Sequence, residues 1–266
     1  MGFFSVEWTG ATFDMLSAPH LAALAFLVLL NIGLSRFAKS SEAVKRRIRI
    51  GLVVVLWTNE VIWHVWLMRS GTWDLQHALP LELCSIFVWV GGAMLLTRSR
   101  WLYDLGYFLG VAGALQALAT PNLGLYGFPH YRYWAFFISH GLIVTTVAWM
   151  TYGEGFRPTR RSLVRSVVVG AALMAVVLVI DLAIGANYMF LAHKPETASL
   201  LDALPVWPYY LPWLLVVGVL MFAVMYAPWE VADRLRARGI GRLEGSPEGN
   251  TASRDADEAT KTRSAR

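Results

Sequence analysis

Cys84 and His140 are the residues of this chain whose types suit nucleophilic chemistry. The thiolate is the reactive form of cysteine, and an adjacent imidazole can take its proton. Cys84 is the only cysteine, so no internal disulfide competes for it. A free cysteine usually behaves as a small buried hydrophobe, and only a base within reach turns it into a nucleophile. His140 is the better marked of the two. It sits deep in an apolar stretch with no Lys or Glu near it in sequence. Its bland alternative is an imidazole bonded to a carbonyl or to a neighbouring helix's hydroxyl.

Further polar residues recur at helical spacing. Glu60 and His64 are four apart and share a helix face. They suit three roles equally: orienting a base, ligating a metal, or holding two helices together. Asp181 and Tyr188 are seven apart, which on a continuous helix is again one face. Arg132, Phe136 and His140 step by four, which sets His140 roughly 12 Å along the helix from Arg132. Cys84 lies only about 6 Å along from Pro80 by the same rise, so the two meet if the helix of His140 starts above the membrane surface, as Tyr131 and Tyr133 allow. Arg132 suits a lipid phosphate or a carboxylate. Gln116, Asn187 and Tyr188 can donate hydrogen bonds to an oxyanion. Lys194 and Asp202 belong to a loop over 186–206 that is long enough for a lid.

The elements that carry these residues are membrane spans. Of 266 residues 56% are hydrophobic and only 15% charged, where a soluble domain carries about 25% charge. Twelve Trp, ten Tyr and thirteen Phe suit the water–lipid boundary. With about 20 apolar residues needed per span, the pattern predicts an all-α bundle of seven transmembrane helices over 18–36, 49–68, 80–97, 102–119, 131–151, 163–185 and 207–227. Pro212 is expected to bend the last or mark its first turn. Residues 1–18 hold Glu7 and Asp14 but no Lys or Arg, so the first helix lacks a signal peptide's basic flank and is expected to stay. The glycines at 91, 92, 106, 110 and 113 read as close-packing positions between helices.

The net charge of +5 is topological and not the mark of a nucleic-acid partner. Twenty Lys and Arg fall in the connections 36–49, 98–101 and 152–165 and in the C-terminal tail, against three (Arg69, Arg132 and Lys194) on the other side. The positive-inside rule then predicts a cytoplasmic C-terminus and an external N-terminus, in a bacterial cell membrane. The domain reading is a bundle over 1–228, a basic juxtamembrane segment over 229–243, either lying on anionic lipid or extending the helix, and a disordered tail over 244–266. With that topology Glu60, His64, Glu82, Cys84, Gln116, Arg132, His140, Asp181, Asn187 and Tyr188 all fall in the outer half, while the inner half is mostly Leu, Val, Ala, Gly and Trp. Ionisable groups are costly in a bilayer and mark function. One polar layer suggests a cavity open to one side rather than a channel.

The runs LPLELCSIFVW (79–89), GALQALATPNL (113–123), FPHYRYWAFFISHGLIV (128–144) and GANYMFLAHKPETASLLDALPVWPYY (185–210) resemble the motifs of the YwaF-type bacterial membrane proteins. The resemblance covers nearly the whole chain, from about 20 to 230. The animal relative, transmembrane protein 164, is regarded as a lipid acyltransferase with a Cys–His catalytic pair. The resemblance therefore implies Cys84 as acyl acceptor and His140 as its base. More distant relatives, the androgen-induced-gene-type membrane hydrolases, pair a Thr nucleophile with His. The family motif often has His where this chain has Glu82, and no role carries over to that position.

Three functions follow as expectations. The first is an intramembrane acyltransferase or transacylase acting on membrane phospholipids, with no cofactor. The second is a metal-dependent lipid hydrolase using His64, His77, His140, Asp181 and Glu60, residues of zinc-ligand type without a dense ligand motif. The third is a receptor or transporter. It is disfavoured by the one-sided polar layer and by the absence of a lysine in the last span for a retinal Schiff base.

Overall fold

A computed structural model describes residues 2–194 and 200–244. Among them all regular structure is helical: α1 (Ala18–Ser35), α2 (Glu42–Arg69), α3 (Leu83–Thr97), α4 (Arg100–Leu105), α5 (Val111–Ala119), α6 (Tyr131–Tyr152), α7 (Arg160–Ile184) and α8 (Leu211–Glu244). A single π-helical turn, Gly106–Gly110, joins α4 to α5, so Arg100–Ala119 forms one continuous rod. Among the described residues six helices are long and apolar enough to cross a membrane. The third predicted span is shorter than expected. Its helix begins at Leu83 and has 15 residues, about 22 Å against a hydrocarbon core of about 30 Å. Pro80 and its neighbours form turns instead.

Two other boundaries move for physical reasons. The second helix starts at Glu42, seven residues before the expected 49, and takes up Lys45, Arg46, Arg47 and Arg49. Charged residues do not end a helix once it has left the lipid, and Glu42 at its first turn and Arg69 at its last suit the helix dipole. The last helix starts at Leu211 rather than 207, with Pro212 in its first turn, where a missing N–H is harmless. It runs to Glu244 with Pro228 inside it, so residues 229–243 are a continuation of helix. Residues 245–266 of the predicted tail lie outside the described residues.

The central element is α6, against which α1, α2, α3 and α5 all pack. All five predicted packing glycines face another helix. A Cβ on Gly91 would lie 3.3 Å from Thr146 Oγ1, and one on Gly92 2.2 Å from Trp57 Nε1. Gly106 meets Val147, Gly110 meets Phe87, and Gly113 meets Leu83. Close approach of this kind supplies the dispersion contacts that hold helices together in lipid.

Each end of the bundle has its own fastening. At one end ion pairs fasten the chain: Arg49 of α2 and Arg98 at the end of α3 both bind Glu154 in the loop after α6, and Arg100 of α4 and Arg165 of α7 both bind Asp104 of α4. At the other end the N-terminal segment is tied down through its carbonyls. Tyr131 N donates to Phe3 O, Trp66 Nε1 to Phe4 O, His130 Nε2 to Ser5 O and Tyr126 Oη to Val6 O. With Nε2 as donor, His130 Nδ1 is free to accept from Arg132 N and cap α6. Burial holds the His130 imidazole below its ordinary range, which keeps it neutral and the cap intact.

Candidate active site

Three helices share a contact layer in mid-bundle. A Cβ on Gly110, at the end of the π-turn, would lie 2.9 Å from Phe87 of α3 and 3.4 Å from Ile143 of α6. Phe87 and Ile143 are buried. Cys84 stands three residues from Phe87, Gly113 three from Gly110 and His140 three from Ile143, in each case toward the end where the N-terminal segment lies. Three residues are about 4.5 Å of rise. By this register Cys84, Gly113 and His140 each stand one step beyond that layer on their own helices. The Cys84 Sγ would be 3.5 Å from a Cβ on Gly113, which confirms the level of the sulfur on α5.

Both candidate residues are half-buried. His140 Nδ1 lies 2.8 Å from the Phe136 carbonyl oxygen. A carbonyl only accepts, so the ring proton belongs on Nδ1 and the lone pair on Nε2. The Phe136 ring lies against the imidazole at 4.1 Å between centroids and restricts its rotation. Cys84 Sγ has no hydrogen-bond partner among the described residues. It belongs to the first turn of α3, whose preceding residue Glu82 gives no side-chain cap. The amides of Leu83, Cys84 and Ser85 consequently donate to no protein acceptor among the described residues. Such amides are oriented donors for negative charge.

Glu60 and His64 do meet, with Nε2 of the imidazole 3.6 Å from Oε1 of the carboxylate. They do not orient His140, because the Phe136 carbonyl already does. Their place is on the flank of α6 where Asn59 Nδ2 donates to Ala135 O, about 140° around that helix from His140. Glu60 is buried, and its Oε1 and the Tyr131 hydroxyl have no hydrogen-bond partner. Arg132 stands at the start of α6 with its guanidinium 4.6 Å from the Tyr126 ring centroid and 5.4 Å from that of Trp63. It has no carboxylate partner among the described residues, as a phosphate-binding arginine would require. Gln116 is exposed on α5, one turn from Gly113 toward the end where the N-terminal segment lies. The described residues hold no group of three or more His, Cys, Asp and Glu able to share a metal ion. His77 pairs with Asp74, and Asp181 is engaged elsewhere.

The expected shared face of Asp181 and Tyr188 is not what joins them. The helix α7 stops at Gly185, whose φ of 68° is the left-handed conformation that glycine adopts without strain. The chain then folds back, and Tyr188 N donates to Asp181 Oδ1. The Tyr188 hydroxyl donates to Leu75 O and accepts from Leu79 N. Asn187 spends its side-chain amide on His193 and its carbonyl on Ala192 N and His193 N. Both residues spend their side-chain donors on fastening the loop. Lys194 Nζ likewise donates to Leu204 O. Met189 N donates to Glu82 Oε2 at 3.1 Å, which ties the loop to the residue that opens α3. Nothing in the sequence marked Glu82 for this, since its partner is a backbone amide.

Tyr188→Phe leaves the Leu75 carbonyl and the Leu79 amide, part-buried in their bonds to the hydroxyl, without that partner. It is expected to cost about 1 kcal/mol, read as a lowered unfolding temperature in detergent. Cleavage of the 185–194 segment by added protease should rise in parallel, and an unchanged digest would mean that the hydroxyl does not hold the loop.

A family model matches residues 15–226, most of the chain, and its description is the TMEM164 family. The chain belongs to the TMEM164 family. No curated protein and no solved structure matches it. The matched range contains every element that builds the Cys84–His140 layer, so in this TMEM164-family chain the candidate site lies wholly within the family region. The chain is a membrane protein with several apolar helices.

Proposed function

We propose that this protein is an intramembrane lipid acyltransferase or transacylase that uses Cys84 as nucleophile and His140 as general base. The observation that carries the reading is the shared layer: an unpartnered sulfur beside free helix amides, level with an imidazole whose Nε2 is unprotonated. The same reading takes α3 as a seventh, shortened transmembrane helix, with the N-terminus outside and the C-terminus cytoplasmic in a bacterial cell membrane.

A separated thiolate and imidazolium would be costly in hydrocarbon, so the resting pair is neutral and the proton moves as the bond forms. Cys84 Sγ attacks the ester carbonyl carbon of a phospholipid while its proton passes to His140 Nε2. The amides of the first turn of α3 stabilise the oxyanion. The carbon–oxygen ester bond breaks, Nε2 returns the proton to the leaving alkoxide, and a thioester and a lysolipid result. An acceptor hydroxyl then gives its proton to Nε2 and attacks the thioester, and the proton returns to sulfur as the carbon–sulfur bond breaks. Arg132, free of carboxylates, suits the lipid phosphate.

The test is mass spectrometry of the purified chain after exposure to phospholipid vesicles. An acyl-sized, hydroxylamine-labile mass on the peptide holding Cys84 is expected. If Cys84 stays unmodified while lipid acyl chains are exchanged, the reading is wrong.

A further inference from the structure

We infer that the seam between α1 and α6, at the bundle end that carries the ion pairs, seats an anionic glycerophospholipid whose ester carbonyl accepts from the Trp149 indole N–H. The site lies at the opposite end of α6 from Arg132 and owes nothing to acyl transfer.

The seam advances in steps of four on both helices. At the first step α1 presses directly on α6, and a Cβ on Gly141 would lie 2.3 Å from Leu27 Cδ2. At the second, Asn31 Nδ2 donates to Thr145 Oγ1 at 3.0 Å and to Leu27 O at 2.8 Å, so both its hydrogens are spent. The third step sets Ser35 beside Trp149, and neither side chain bonds across. The Ser35 hydroxyl turns back to Ile32 O. Trp149 is 2% exposed, and its Nε1 has no hydrogen-bond partner. Here the seam opens into a cavity walled by Asn31, Leu34, Ser35, Ala148, Trp149 and Tyr152.

The cavity measures about 10 Å³, room for one oxygen atom and no acyl chain. An indole N–H only donates, so what the cavity lacks is an acceptor. Ser35 and Tyr152 at its rim are exposed, and the acceptor can enter from outside the bundle. An unpaired donor on a lipid-facing seam is unfavourable, and an ester carbonyl meets the need with a single atom. The residues beyond the seam set the headgroup. Arg36 caps α1 directly after Ser35, and Lys39 stands three residues on. Both are exposed, and neither has a carboxylate partner among the described residues. From Asn31 to Arg36 is about 7.5 Å of rise. A lipid with its carbonyl at Trp149 therefore carries its phosphate toward the level of these two cations, which favour a net negative headgroup over a zwitterion.

The experiment is native mass spectrometry of the full chain offered equal amounts of three lipids. They are diester phosphatidylglycerol, its dialkyl ether analogue, which has no carbonyl, and diester phosphatidylcholine. Wild type is expected to take diester over diether phosphatidylglycerol by about fivefold, the worth of one hydrogen bond, and over phosphatidylcholine by at least as much. Trp149→Phe keeps an aromatic ring and removes the N–H, so it should bind both phosphatidylglycerols alike and still prefer them to phosphatidylcholine. Arg36→Gln with Lys39→Gln should lose the headgroup preference and keep the ester preference. Each ratio is read within one protein, so a general weakening of lipid binding does not imitate it. Equal uptake of diester and diether by wild type overturns the inference, because a water then fills the cavity. An ester preference that survives Trp149→Phe, a headgroup preference that survives the double variant, or a dimer of the chain in place of the lipid adduct overturns it as well.

Discussion

Cys84→Ala abolishes lipid acyl transfer, and His140→Gln lowers the rate of thioester formation by about 10²- to 10⁴-fold, the range of a positioned general base. The two variants fail differently. Alanine removes the atom that carries the acyl group, and no rate above background remains. Glutamine keeps much of the volume of His140, and its amide can still donate to the Phe136 carbonyl. What it lacks is the Nε2 lone pair. The thiol must then lose its proton to solvent hydroxide, so the residual rate should climb about tenfold per pH unit. Wild type should show a shallower profile over the same range. A structural role for His140 would not produce that change of slope. Retained acyl exchange in Cys84→Ala would remove the nucleophile from the proposal, and a His140→Gln profile parallel to wild type would remove the base.

Much of this site is visible in the sequence because membrane helices leave few choices. Apolar runs mark where the rods lie, though not where the polar ends of α2 and α8 stop, and ionisable side chains within them stand out. Glycine positions disclose which faces touch, and the five read as packing positions do so. The i, i+4 pair Glu60 and His64 meets because one helix alone sets that distance. What stays hidden depends on backbone groups, which look the same at every residue. The Phe136 carbonyl orients His140, and the Met189 amide binds Glu82. No side-chain type announces either. The i, i+7 reading of Asp181 and Tyr188 assumed an unbroken helix, and Gly185 breaks it, so the residues meet through the Tyr188 amide. The carbonyls of residues 3–6 fasten the N-terminal segment for the same reason, and composition assigns that segment no structure at all.

The largest loss of stability from a single substitution outside the site is expected at Glu154, far from any chemistry. Its side chain is 0% exposed and binds Arg49, itself 11% exposed, together with Arg98 at 2.8 Å. The three come from α2, the end of α3 and the loop after α6, so one carboxylate closes three connections of the bundle. Glu154→Leu leaves Arg49 charged, nearly buried and without its partner. Removing one member of a buried pair costs about 3–5 kcal/mol, mostly the penalty of the stranded charge. Arg98, at 46% exposure, can turn to water and adds little. Glu154→Gln, which keeps a hydrogen-bond acceptor, should lose less. The double variant Glu154→Leu with Arg49→Met should recover much of the loss, because no buried charge is then stranded. Unfolding followed in detergent for the three variants decides the matter. A double variant no more stable than Glu154→Leu would mean that the cost lies in packing and not in charge. Recovery would show that Arg49 and Glu154 are held as a pair and that the stranded charge, not the shape of the site, carries the cost.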